Sequence, residues 1–205
     1  MTEFEKMING MLYDPSDEEL RTLRLRARKL ARKYNQLDED EYQKREEVLR
    51  ELLPESEHLP YLQAPVYFDY GCNSKFGRGT NTNFNFVCLD VGSVTIGENV
   101  FIGPNVTIAT PMHPFLPEER NDQVREDGST YNLEYAKPIV IEDNCWLASN
   151  VVVCGGVTIG EGSVIGAGSV VTKNIPPHSL AAGNPCRVIR EITEADSMKE
   201  YMTKL

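Results

Sequence analysis

The sequence predicts a mainly β solenoid with a two-helix cap at its N-terminal side and one loop protruding from the coils, and three observations predict it. Nine hexapeptides, starting at Ile96, Ile102, Ile108, Ile141, Leu147, Val153, Ile159, Ile165 and Val171, each repeat an aliphatic residue followed by small, polar or turn-tolerant ones. Self-similarity at a short fixed period marks a solenoid, in which each repeat is a short strand whose apolar side chain stacks on the repeats above and below. Charge is concentrated upstream of the repeats: residues 1–58 hold 26 of the 52 charged side chains, 11 basic and 15 acidic. The six-residue register breaks once, after Ile108, and resumes at Ile141 with 27 additional residues.

Taken in order, residues 1–58 read as a helical cap. Ser16 or Asp17 can cap a helix whose apolar positions, Leu20, Leu23, Ala27, Leu30, Ala31 and Tyr34, fall three and four apart, and Asn35 can stop it. A second helix is expected from Asp38 or Asp40 to Leu53. The basic run from Arg21 to Lys33 interleaves with a leucine stripe and is flanked by acids, which makes it a solvated helix face. Residues 59–190 form the solenoid, ragged from Pro65 to Ser93 with Phe76-Gly77-Arg78-Gly79 as a degenerate hexad, and regular thereafter. Three hexads close a triangular coil of 18 residues, turned by residues such as Gly97 and Gly103. The excursion covers about 112–137 and leaves the stack; a loop of this length in a compact domain is usually functional. Residues 191–205 read as a C-terminal helix or tail.

Composition narrows the function. A net charge of −10 disfavours nucleic acid, which needs a positive field. The start, Met1 to Lys6, has no basic segment followed by an apolar run, and no long apolar stretch occurs, so no membrane partner is expected and residence is read as cytoplasmic. The five cysteines, Cys72, Cys88, Cys145, Cys154 and Cys186, are odd in number and lack paired metal spacing; they read as reduced thiols, and no metal is expected.

The hexapeptides, the His113-Pro114 loop root, Asn144-Cys145-Trp146, Val171-Thr172-Lys173-Asn174-Ile175-Pro176 and the run Gly183-Asn184-Pro185-Cys186-Arg187-Val188-Ile189-Arg190 together resemble the galactoside and maltose O-acetyltransferases of the hexapeptide acyltransferase superfamily. Leu12-Tyr13, Asp17-Glu18 and Arg24-Leu25-Arg26-Ala27-Arg28 look like the cap of that family, so the resemblance spans nearly the whole chain. It implies a left-handed parallel β-helix, a homotrimer, and acetyl-CoA as co-substrate lying between neighbouring subunits with a small-molecule sugar as acceptor.

Moving an acetyl group from a thioester to an alcohol requires a base, and histidine is the natural one. Of His58, His113 and His178, the resemblance selects His113 as general base. Glu134 is a candidate to orient its ring, and Asn83 matches a family position near the reacting carbonyl and the acceptor. Asp69 and Asp90 match acceptor-hydroxyl positions. Asp69 agrees with the maltose type, while the aspartates of the galactoside pattern fall on Pro15 and Val91, which implies a glucose- or maltose-like acceptor. For acetyl-CoA, Trp146 matches the residue packing on the pantetheine arm, Ser149, Ala167, Thr172 and Lys173 match coil-edge contacts, and Arg187 and Arg190 match cations near the phosphates. Three alternatives stay open from the residues: a hexapeptide acetyltransferase with a non-sugar acceptor, a zinc enzyme resembling the γ-type carbonic anhydrases, and a non-enzymatic scaffold. The zinc reading needs closely spaced histidines that this chain lacks.

Overall fold

The computed structural model describes residues 1–202, and the last three positions of the C-terminal segment lie outside the described residues. The hexads form a left-handed parallel β-helix of about six turns. The first face carries Tyr61–Leu62, Asn81–Thr82, Phe101–Ile102, Trp146–Leu147, Val164–Ile165 and Ser179–Gly183, paired in parallel. The second carries Val66–Phe68, Phe86–Leu89, Thr107–Ala109, Val152–Cys154 and Val170–Val171. The third carries Ser74–Phe76, Val94–Ile96, Ile139–Ile141 and Thr158–Ile159. All nine aliphatic residues that open the hexads are buried on the axis, so the six-residue period is a column of inward side chains.

The coil length differs from the expected 18. Phe76 lies beside Ile96 and Thr82 beside Ile102, so the first two coils take 20 residues. Both additions fall at one place, the corner between the second and third faces, which is why the sequence from Pro65 to Ser93 reads as ragged. The wider interior is filled by Phe68, Phe76 and Phe86, packed edge-to-face with centroids 6.0–6.5 Å apart. At the other end Ile175 bridges to Ile159, shortening the last coil, and Cys186–Glu191 folds back antiparallel on Ser179–Gly183.

Small residues after the inward aliphatic let coils approach. A Cβ on Gly97 would lie 2.7 Å from the Asp143 nitrogen and 2.9 Å from the Glu142 carbonyl carbon, and one on Gly103 would lie 2.9 Å from Ala148 and Ser149 backbone atoms. Turning at the corner between the first and second faces falls to Asn85, Asn105 and Asn150, which adopt positive φ and link side chain to side chain at 3.0 and 3.2 Å.

The cap contains three helices rather than two. Helix α1 (Glu3–Ile8) precedes the two expected from the sequence and begins in a capping box of Thr2 and Glu5. Helix α2 (Glu18–Asn35) starts at Asp17, whose carboxylate accepts from the Glu19 and Leu20 amides, and α3 (Tyr42–Leu52) follows. They cover the open edge of the first coil, which would otherwise expose unpaired backbone. Asn35 exchanges two 2.9 Å bonds with the Val66 backbone, and the Leu62 carbonyl accepts from the Tyr34 hydroxyl at 2.6 Å and from Arg45 at 2.8 Å. Among the described residues no helix is long and apolar enough to cross a membrane.

Candidate functional site

Every departure from the six-residue register in the first three coils stacks at the corner between the second and third faces. The first coil places Asp69 and Tyr70 there, the second Asp90 and Val91, and the third releases the long excursion between Ala109 and Ile139. Pro111–Met112 pairs antiparallel with Tyr135–Ala136 and closes the neck of the loop. Beyond it stand a short helix, Pro117–Arg120, and a hairpin of Gln123–Val124 with Thr130–Tyr131, its Arg125 lying 4.4 Å from the Tyr131 ring centroid. The segment before α2 clamps this loop: Tyr13 and Glu134 exchange backbone bonds of 2.9 and 3.1 Å, and Arg125 pairs with Asp14.

A cavity of 300 Å³ results, lined by Tyr13, Pro15, Arg24, Arg28, Asp69, Tyr70, Val91, Pro111, His113 and Glu134. His113 is exposed, and its ring has no hydrogen-bond partner among the described residues. Glu134, expected to orient that ring, instead accepts the Tyr13 hydroxyl at 2.7 Å. Burial, followed by this bond to the carboxylate, pushes the Tyr13 phenol well above its ordinary range, so it stays a donor. Asp69 accepts from Arg28 at 2.9 Å. This pair separates the cavity from a neighbouring one of 370 Å³ that runs along α2 past Ala31, Arg32, Asn35 and Tyr67.

Two corrections concern residue roles. Asp90 does not reach the cavity: it is fully buried beneath it, accepting the Tyr70 amide at 2.8 Å and the Ser74 hydroxyl at 2.9 Å. Two residues past the inward Cys88, its side chain falls on the interior side of the strand alternation, where it fixes the backbone of Tyr70. The basic run is also not all solvated surface. Arg24 donates to the Tyr70 hydroxyl at 2.7 Å and to the Pro15 carbonyl at 2.6 Å, and one turn later Arg28 holds Asp69. Sequence reasoning missed Tyr13, Arg24, Arg28 and Tyr70 as cavity residues; the four-residue spacing of Arg24 and Arg28 beside buried Ala27 and Ala31 was the available signal.

Burial pushes the Asp90 acid up to about 7, against the lowering effect of its two donors. Its folded value is therefore above its unfolded one, so the native chain holds a proton that the unfolded chain has released. Stability from this group is complete below the unfolded value and is lost as pH rises to about 7. Asp90→Asn keeps an acceptor for Tyr70 and removes the titration. In urea unfolding at pH 5 and pH 8, the wild type is expected to lose stability relative to Asp90→Asn; an equal difference at both values would refute the assignment.

The remaining predicted residues divide between corners. Thr172 and Lys173 stand exposed on the same stack of corners as His113, two coils further along. Asn83, Ser149 and Ala167 occupy the corner between the first and second faces, where the Ser149 carbonyl accepts the Gly168 amide at 2.9 Å and the Asn83 side chain accepts the Phe84 amide at 2.8 Å. Trp146, 52% exposed, stands outward on the first face beside Phe101 and Val164, offering an apolar platform. Arg187 pairs with Ala182 in the terminal hairpin and donates to the Cys186 carbonyl at 2.7 Å. Arg190 is held by both oxygens of Asp196 at 2.6 and 2.8 Å, which draws the Asp196 acid down to about 2. No cluster of metal-binding side chains occurs among the described residues.

Known proteins share both regions. Residues 6–56 match the maltose acetyltransferase hexapeptide capping motif, residues 93–111 the hexapeptide repeat of succinyl-transferase, and residues 138–173 the bacterial transferase hexapeptide. The chain is 42% identical over 200 residues to a galactoside O-acetyltransferase of Escherichia coli K12, covering 98% of this chain and 93% of the relative. The crystal structure of a maltose O-acetyltransferase from Clostridium difficile 630 is 43% identical and superposes with a TM-score of 0.85, over 95% of this chain and 99% of that one. A galactoside acetyltransferase in complex with coenzyme A is 42% identical with a TM-score of 0.82, over 96% and 94% of the two chains.

Proposed function

Because the chain belongs to the galactoside and maltose O-acetyltransferase family, we propose that it transfers acetyl from acetyl-CoA to a sugar hydroxyl with His113 as general base. The observation that carries the reading is His113 itself, exposed and free of competing bonds at the mouth of a polar cavity built by three successive coils and the cap. The neutral imidazole takes the proton of the acceptor hydroxyl as its oxygen attacks the thioester carbon. The carbon–sulfur bond then breaks, and the imidazolium returns the proton to the departing thiolate. Asp69, Arg28 and Arg24 supply charged and hydrogen-bonding partners for the acceptor, and Glu134 acts through Tyr13 to hold the loop neck.

The split between corners supports a shared site in a homotrimer. Asn83, Ser149 and Ala167 lie on one corner stack, with Trp146 on the adjoining first face and Arg187 in the terminal hairpin, and His113, Thr172 and Lys173 lie on another corner stack, so that contact between two chains would bring the sets together. Coenzyme A in a related structure supports acetyl-CoA as donor. Lys173 and Arg187 are available for its phosphates, whereas Arg190 must first leave Asp196.

Pro15 and Val91 line the cavity without offering a carboxylate, which favours glucosyl over galactosyl acceptors. Incubation with acetyl-CoA and a sugar panel, read by release of free thiol, is expected to show a higher kcat/KM for glucose or maltose than for galactosides. A galactoside preference would reject the acceptor assignment, and no thiol release with any sugar would reject the activity. Full activity in a preparation that sediments as a monomer would remove the shared-site reading.

A further inference from the structure

A third cavity, a groove of 510 Å³, lies between α3 and the first coils, away from the cavity that holds His113; it is lined by Arg45, Arg50, His58, Arg78, Tyr42 and Tyr61, with Glu46 and Glu57. Arg45 is 5% exposed. Its Nη2 donates to the Tyr34 hydroxyl at 2.7 Å and the Leu62 carbonyl at 2.8 Å, and the guanidinium lies 4.4 Å from the Tyr34 ring centroid. Its Nη1 is buried with no partner, and no carboxylate pairs with it among the described residues. A guanidinium taken out of water without an anion is costly, and that cost falls when an anion arrives from outside.

The acids of the groove leave this charge unmet. Glu46 is committed to Arg50 at 2.6 Å. Arg78, exposed at its corner, makes one contact, 3.2 Å to Nε2 of His58, in which the arginine is the donor. After the Arg50 pair is set aside, Arg45 and Arg78 face Glu57 alone, a surplus of a single positive charge.

We propose that this groove binds a small organic monocarboxylate, with Arg45 and Arg78 as its cationic partners and Tyr42 and Tyr61 flanking its body. Arg45, whose Nη2 is already committed twice, offers its unpartnered Nη1 to one carboxylate oxygen, and Arg78, with one contact, presents the freer guanidinium. The single surplus charge and Glu57 at the rim select a monoanion over a phosphate dianion, and the exposed tyrosine rings favour a ligand with a flat or apolar body.

The test uses the full-length protein with sodium benzoate as probe, sodium phosphate as the dianion arm, and ionic strength held constant with sodium chloride. Benzoate is expected to raise the midpoint of thermal unfolding and to give a saturable heat of binding in calorimetry. Arg78→Gln, at an exposed corner, is expected to fold like the wild type and to bind benzoate at least about tenfold more weakly. Arg45→Met is expected to abolish the response; should it fail to fold, the wild type and Arg78→Gln decide. No response in the wild type, equal benzoate affinity in Arg78→Gln, or a stronger response to phosphate than to benzoate would each overturn the proposal.

Discussion

His113→Ala is expected to lose acetyl transfer by about 10²–10⁴-fold, the range that a positioned general base contributes. The side chain is exposed and bonds no other side chain among the described residues, so its removal opens no core cavity and breaks no network. The variant should therefore match the wild type in circular dichroism and thermal midpoint, and it should still bind acetyl-CoA in calorimetry, because the expected cofactor residues lie on other coils. Loss of transfer with both of these intact identifies the ring as the base. A folded His113→Ala protein with near-wild-type kcat/KM would falsify that role and leave the loop root without a catalytic function.

Gly97→Ala is expected to destabilise the coil stack strongly. The added methyl would meet Asp143 and Glu142 backbone atoms at 2.7 and 2.9 Å, and backbone has no alternative rotamer to adopt. Separating the coils there strains the bonds from the Gly97 amide to Ile141, at 2.8 Å, and from the Asn144 amide to Glu98, at 2.8 Å. A cost of about 3 kcal/mol is expected, the upper range for overpacking, which corresponds to a fall of roughly 6–12 °C in thermal midpoint for a chain of this size. Gly128→Ala, in the loop hairpin with nothing within 4 Å, should cost only the penalty of its positive φ. Equal midpoints for the two variants would show that the coils yield more easily than their spacing implies.

The solenoid was legible because one chemical requirement, an aliphatic side chain on the axis, recurs at a fixed interval and survives the break after Ile108. The length of the first coils was not. Two added residues at a corner leave the flanking inward positions unchanged, and Thr82 and Cys88 occupy inward positions where aliphatic residues mark the later coils. Two similar aspartates fall on opposite sides of the strand alternation: Asp69, one residue past inward Phe68, lines the cavity, whereas Asp90, two past inward Cys88, turns under the Tyr70 amide. That parity is hidden in the sequence because Cys88 does not announce itself as an inward position in the way the later aliphatic residues do. Helix α1 carried a readable signal in Thr2 and Glu5, but a six-residue helix has too few turns to show periodicity. The pairing of Tyr13 with Glu134 joins residues 121 positions apart and had no local trace.

The corner where coils lengthen gives the molecule a freedom that its other two corners lack. In the fourth coil the same corner is crossed by Gly155 and Gly156, the latter at φ 87°, and the strands on both sides keep their partners. A turn that short and an excursion as long as the one carrying His113 thus occupy equivalent positions on one scaffold, and the stack registers neither. Chain length has become a variable local to one edge: a segment of different size and chemistry can occupy that corner while the strands on both sides keep their partners, so what the edge presents is separable from the architecture that holds it.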